Sequence, residues 1–181
     1  MEQTLQIFDK DTLDFYNKAT DEYLIHHGFD PAFDETRGSV CFVYKPMVLK
    51  PLVDKFAKTV STIVGGGEYF LTFWSLCDYY TDSFLKPHRD RPSAEVSFTI
   101  NMMQDGPNWP FYVSEKEYVC EPGEGVLYTY PNEHYRNKCP GNLYRQLMIH
   151  FVDQKGEFRK DRQVFSDMRN DGDTQVFYKN G

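Results

Sequence analysis

The chain has 181 residues, 40% hydrophobic and 26% charged, with a formal net charge of −7. That composition excludes a disordered chain, predicts one folded domain with a substantial core, and disfavours nucleic acid as a partner while still allowing a local basic groove. No apolar run reaches the roughly 18 residues of a membrane span and the start does not read as a signal peptide, so a cytoplasmic location is the default expectation.

Apolar residues at three-to-four spacing predict a first helix from Asp11 to about His27, with Asp9 or Asp11 as its cap and Gly28 as its stop. Phe29 to Gly38 reads as loop, and the β-branched and aromatic run Val40 to Tyr44 as a strand. A second helix is expected from Pro46 to about Ile63, with Val48, Leu49, Leu52, Val53, Phe56, Val60 and Ile63 as its packing stripe. Gly65-Gly66-Gly67 ends it; without a Gly-Lys-Ser/Thr it is no phosphate loop.

From Tyr69 the pattern turns to short strands: Tyr69 to Leu76, a run ending near Asp90, Glu95 to Met103, Phe111 to Val113, Tyr118-Val119, Gly125 to Tyr130 and Tyr144 to Val152. Helices first and strands afterwards predict a mainly β protein with flanking helices, its core a double-sheet jelly roll of cupin-like, double-stranded β-helix type. The expected organisation is one domain over 1–181: helical support over 1–68, the jelly-roll core over 69–152 and an extension over 153–181. Asp161 to Arg169 reads as a last short helix and Gln175 to Tyr178 as an edge strand. Cys41, Cys77, Cys120 and Cys139 form no C-x-x-C pair and read as buried thiols, with a Cys120–Cys139 disulfide as the alternative.

Chemistry concentrates between Tyr79 and Arg145. In Leu85-Lys86-Pro87-His88-Arg89-Asp90, an extended backbone projects residues 88 and 90 from one side, so an imidazole and a carboxylate converge. A second imidazole, His134, follows the Gly123 to Tyr130 segment. Two histidines and a carboxylate can occupy one face of an octahedral metal and leave the other positions open, the arrangement of non-haem iron(II) oxygenases.

Together these stretches resemble the iron(II)- and 2-oxoglutarate-dependent dioxygenases, in particular the prolyl-4-hydroxylase-like branch. The residues that carry the resemblance are Tyr79, Leu85-Lys86-Pro87-His88-Arg89-Asp90, Pro122-Gly123-Glu124-Gly125-Val126-Leu127 with His134, and Arg145 eleven residues later. Two departures stand out: Thr81-Asp82-Ser83 replaces a glycine soon after the tyrosine, and Gly106 to Val113 replaces a Trp-Gly-Gly-Glu-Leu-like stretch near the substrate mouth.

The resemblance implies hydroxylation of an unactivated C–H with release of succinate and CO2. Its metal is iron(II), held by His88, Asp90 and His134, with 2-oxoglutarate and O2 as co-substrates and ascorbate as a reductant. Arg145 is then expected to meet the far carboxylate of 2-oxoglutarate through its guanidinium fork, the competing reading being a surface ion pair. If Tyr144 to Val152 alternates, Arg145, Leu147, Ile149 and Phe151 share one face, taken as inward, and His150 lies opposite and is no ligand. On the neighbouring run Ser97, Thr99 and Asn101 share a polar face; Thr99 and Asn101 are the expected co-substrate contacts, with Tyr79 as a hydroxyl donor. A solvated sheet face is the alternative.

The leading substrate is a prolyl residue in a peptide or protein, followed by a free amino acid or small metabolite. Asp90 stands where a halogenase needs an open position. A zinc-dependent cupin-like hydrolase or isomerase and a non-catalytic binding module are the rival classes. Oligomeric state is not legible in the sequence.

Overall fold

The computed structural model describes residues 2–28, 32–34 and 39–161. In chain order they form β1 (Gln3–Gln6), α1 (Lys10–His27), β2 (Ala32–Asp34), β3 (Ser39–Tyr44), α2 (Lys50–Ala57), α3 (Val60–Val64), β4 (Tyr69–Tyr80), β5 (Leu85–His88), β6 (Val96–Asp105), β7 (Phe111–Val113), β8 (Lys116–Tyr118), β9 (Glu124–Thr129), β10 (His134–Arg136) and β11 (Leu143–Asp153). The expected helix beyond Asp161 and the expected edge strand at Gln175 to Tyr178 lie outside the described residues.

Helix α1 starts as its sequence dictates. The Asp9 carboxylate accepts from the Thr12 N–H at 2.8 Å, and Gly28, at φ 83°, closes the far end. The single helix expected from Pro46 is instead a 3-10 turn at Met47–Leu49 followed by α2 and α3. The break comes at Thr59, whose N–H and hydroxyl both turn back to the Phe56 carbonyl, at 2.8 and 2.7 Å; this three-residue closure ends the α pattern. The apolar stripe survives the break, with Leu49, Leu52, Val53, Phe56 and Val60 all buried.

The strands pair antiparallel throughout and build two sheets. A large one has the order β1-β9-β6-β11-β4-β3-β2 and a small one the order β5-β10-β7-β8. Two facing antiparallel sheets of this kind are the expected jelly roll. The short strands β1, β2 and β10 were not foreseen, and β2 falls within the expected loop.

Both faces of the large sheet are covered. On one, Trp74, Leu76, Phe98, Ile100, Leu147, Ile149 and Phe151 pack with α1, α2 and α3 around Phe56. The other face turns toward the small sheet and carries Ser75, Cys77 and Tyr79 from β4, Ser97, Thr99 and Asn101 from β6, and Tyr144, Gln146, Met148 and His150 from β11, as the cross-strand register requires. The four cysteines are buried free thiols, so the Cys120–Cys139 disulfide does not form.

Arg145 sits on the helix side. Its Nε and Nη2 donate to the two carboxylate oxygens of Asp78, each at 2.9 Å, and its Nη1 reaches Asp21 of α1 at 2.9 Å. The Tyr44 hydroxyl completes the cluster, donating to Asp78 Oδ1 at 3.0 Å. Burial works against the charge on Arg145, but the hydrogen bonds and charge of Asp78 outweigh it and hold the guanidinium above its ordinary pKa. Asp21 is 54% exposed and adds little, whereas the Asp78 pair is wholly buried. Replacing Arg145 with Met leaves Asp78 buried without its cation, and the expected loss is about 3–5 kcal/mol in denaturant unfolding. A loss under 1 kcal/mol would mean that the pair does not support the fold.

Candidate metal centre

Cross-strand pairing brings the two histidines together. His134 opens β10 and lies directly opposite His88, which closes β5, and their ring centroids are 4.2 Å apart. Asp90 follows two residues after His88 and returns to the same side, so one ligand atom from each of the three side chains falls within 4.8 Å of the others. His88 Nε2 is 3.8 Å from Asp90 Oδ1, and His134 Nε2 is 3.7 Å from Asp90 Oδ2.

The second nitrogen of each ring is already occupied. His88 Nδ1 is 2.8 Å from the Lys86 carbonyl, and His134 Nδ1 is 3.1 Å from the Asn132 carbonyl. A carbonyl only accepts, so each Nδ1 carries the proton and each Nε2 lone pair is left to face the centre. Burial pushes His134 down to about 4, which keeps it a neutral donor at physiological pH. Burial alone would raise the Asp90 carboxyl, but the three neighbouring imidazoles and a hydrogen bond from Tyr128 bring it below its ordinary value. These donors fit a first-row divalent metal held on one face, with outer positions open. The side chains of His88, Asp90 and His134 are 37%, 20% and 2% exposed, so the centre sits at a mouth, with His134 on the inner side.

Two further side chains complete the surroundings: Tyr128, which the sequence reading passed over, and His150, which it had turned away from the site. The Tyr128 hydroxyl donates to Asp90 Oδ2 at 3.1 Å, and burial together with the Asp90 charge keeps that phenol protonated. His150 Nδ1 lies 2.7 Å from Ser97 Oγ and 3.9 Å from Asp90 Oδ2. His150 is thus a neighbour of the centre and not a member of the three-residue set. The period-two alternation that linked His88 to Asp90 also applies to β9 and β11 and could have found both.

Behind the metal mouth lies the interior layer between the facing surfaces of the two sheets, called the chamber below, and the rows of the large sheet lead into it. Tyr128, Ser97 and His150 form the row beside Asp90; Val126, Thr99, Met148 and Ser75 the next; Asn101, Gln146 and Cys77 the one after. Thr99 and Asn101 therefore line the chamber, and Tyr79 lies on the same face with its ring edge-on to Trp109. Arg145 does not line it. The face it shares with Leu147, Ile149 and Phe151 is apolar, and the helices take that face, so the expectation that it pointed at the co-substrate is corrected. Ser75 Oγ, Thr99 Oγ1 and Asn101 Oδ1 are buried and find no partner among the described residues. Three such atoms on one face mark a surface built for a polar occupant.

The departures in the motif have local explanations. Asp82, in place of the missing glycine, adopts φ 64°, a left-handed conformation that aspartate tolerates better than most residues. In the altered 106–113 stretch, Trp109 and Phe111 are buried and wall the chamber.

No family model matches the chain, and no curated protein matches it by sequence. Solved structures do match in three dimensions. An oxidoreductase of the 2OG-Fe(II) oxygenase family from Burkholderia pseudomallei is 15% identical over 83% of this chain and 85% of its own, with a TM-score of 0.62. A prolyl hydroxylase from Trichoplax adhaerens, solved with a hypoxia inducible factor oxygen degradation domain peptide, is 12% identical over 90% and 86%, with a TM-score of 0.64. The epimerase SnoN, solved with Fe3+, alpha ketoglutarate and nogalamycin RO, is 8% identical over 84% and 78%, with a TM-score of 0.67. The chain has the fold of the 2OG-Fe(II) oxygenases, prolyl hydroxylases among them.

Proposed function

We propose that this chain is a single-domain iron(II)- and 2-oxoglutarate-dependent dioxygenase that hydroxylates an unactivated C–H, with a prolyl residue of a peptide or protein as the leading substrate. The observation that carries the reading is two imidazoles and one carboxylate with their ligand atoms within 4.8 Å of one another, beside buried polar atoms that have no partner among the described residues. When bound, the iron couples decarboxylation of 2-oxoglutarate to succinate with transfer of one oxygen atom of O2 to the substrate.

The protein's own residues do the positioning. His88, Asp90 and His134 hold the metal, and the Lys86 and Asn132 carbonyls fix the imidazole tautomers. Tyr128 anchors one oxygen of Asp90 and leaves Oδ1 turned toward His88. Thr99, Asn101 and Ser75 offer hydrogen-bonding atoms to the co-substrate, and the buried aromatic wall keeps bulk water from it. The exposure of His88 puts the centre at a mouth that an extended segment can approach, which favours a peptide. The peptide complex of the Trichoplax adhaerens neighbour supports this choice. A small metabolite is the second reading, favoured by the nogalamycin RO complex of SnoN. Among the described residues no helix is long and apolar enough to cross a membrane; a cytoplasmic setting remains part of the proposal.

Mixing protein, iron(II), ascorbate and 2-oxoglutarate without oxygen should produce a weak visible charge-transfer band, and admitting oxygen should release succinate. Asp90→Ala should abolish both, and unchanged succinate formation would remove Asp90 from the ligand set. A turnover screen over prolyl peptides, free amino acids and small metabolites then ranks the substrates. Tyr128→Phe should keep the fold and lower metal affinity about ten- to a hundred-fold, the usual effect of losing a group that orients a ligand. Cobalt(II) titration measures it, and wild-type affinity would show that Asp90 needs no such support.

A further inference from the structure

Two strand positions beyond His134, on the same inward side of β10, stands a residue that the sequence reading did not single out. Arg136 is 3% exposed. Its guanidinium is enclosed by the rings of Trp109, Phe111 and Tyr144, with centroids at 4.7, 5.0 and 4.6 Å. Its Nε donates to Gln146 Oε1 at 3.2 Å, Nη1 donates to the Trp109 carbonyl, and Nη2 donates to the Tyr144 hydroxyl at 3.2 Å. All three acceptors are neutral. Among the described residues Arg136 has no carboxylate within ion-pair distance.

The contrast with Arg145 decides the matter. Both guanidiniums are buried, but Arg145 already has two carboxylates. A guanidinium stays charged at any physiological pH, and burying a charge without a counter-ion is costly. Aromatic faces compensate in part. Of its five N–H groups, the three hydrogen bonds use one on each nitrogen and leave one on Nη1 and one on Nη2 to donate to a carboxylate.

Position and distance agree with that occupant. Gln146 and Tyr144 lie at the end of the chamber away from Asp90, and the Asn101 Oδ1 of the Gln146 row has no partner among the described residues. Along β10 the interval from His134 to Arg136 is about 7 Å, two strand residues, which is on the scale of a five-carbon dicarboxylate. We infer that Arg136, and not Arg145, receives the distal carboxylate of the 2-oxo dicarboxylic acid co-substrate, with Asn101, Thr99 and Ser75 along its path; the assignment rests on the dioxygenase reading above.

The test pairs a variant with a ligand that lacks the group in question. Calorimetric titration of manganese(II)-loaded protein, without oxygen, compares 2-oxoglutarate with 2-oxobutyrate, which keeps the chelating end and has no distal carboxylate. Wild type should prefer 2-oxoglutarate. R136Q should bind 2-oxobutyrate as wild type does and lose about ten- to a hundred-fold of affinity for 2-oxoglutarate. R145K, which keeps a cation beside Asp78, should retain the wild-type preference. A folded R136Q that loses both ligands equally, or keeps the wild-type preference, overturns the assignment. If R136Q does not fold, R136K decides: a point charge in place of the fork should reduce the preference, and an undiminished one overturns the inference. Loss of the preference in R145K, with its retention in the Arg136 variants, returns the role to Arg145. Wild type that binds neither 2-oxo acid overturns the functional reading and this assignment together, whereas wild type that binds 2-oxoglutarate while the Arg136 variants keep their preference sinks only the latter.

Discussion

Alternation along a sheet buried on both faces is the constraint on which this structure depends. Each long strand of the large sheet sends one set of side chains into the helices and the other toward the small sheet. On β11 the first set is Arg145, Leu147, Ile149 and Phe151, and the second is Tyr144, Gln146, Met148 and His150. The apolar set drives folding because α1, α2 and α3 cover it. The mixed set has no such outlet and must be satisfied by whatever the small sheet brings opposite. That sheet brings His88, His134 and Arg136. The metal centre is therefore assembled where a sheet that folds for apolar reasons meets one that supplies donors.

Two arginines nine residues apart show how that partition separates stability from binding. Arg145, on the helix side, satisfies Asp78 and ties the sheet to α1 through Asp21. It belongs with Tyr44, Trp74 and Leu76 to the supporting half of the molecule. Arg136, on the chamber side, has ring faces and neutral acceptors around it and keeps two donors in hand. Exchanging the two roles would require β11 to shift by one residue. Its eleven-residue pairing with β4 opposes such a shift, since a slip of one would turn Leu147, Ile149 and Phe151 toward the chamber.

Much of this was legible before the structure. Alternation alone linked His88 to Asp90, the polar side of the Glu95 to Met103 run was read as facing the site, and the mixture of early helices and late strands indicated a jelly roll. The orientation of Arg145 was not, because apolar neighbours were taken to mark the inward face. That rule serves a sheet with one dry side, and here both sides are dry. The reading was also inconsistent between neighbours. With Thr99 opposite Met148 and Ser97 opposite His150, a polar inward face on β6 requires Met148 and His150, and therefore not Leu147, to point inward on β11. Register is a long-range property, and a single sequence carries no direct signal of it. The break at Thr59 and the three-residue β10 are local, but each is set by one hydrogen-bonding choice or one cross-strand partner that propensity does not encode.

The chamber carries a stability cost that follows from its chemistry. Buried hydroxyl and amide oxygens without partners each disfavour the folded state by about 1–3 kcal/mol, and Ser75, Thr99 and Asn101 hold one each. An apolar replacement at these positions would pack well beside Met148 and Val126 and would be expected to stabilise the fold. Polar atoms at these sites, beside a guanidinium that meets no carboxylate among the described residues, are what a surface needs if its occupant is a polar anion that arrives after folding. The large apolar cluster on the opposite side of the same sheet makes that arrangement tolerable, because the strands that bear the unsatisfied atoms also bear Trp74, Leu76, Phe98 and Ile100. Stability and reactivity are therefore supplied by alternate residues of the same strands.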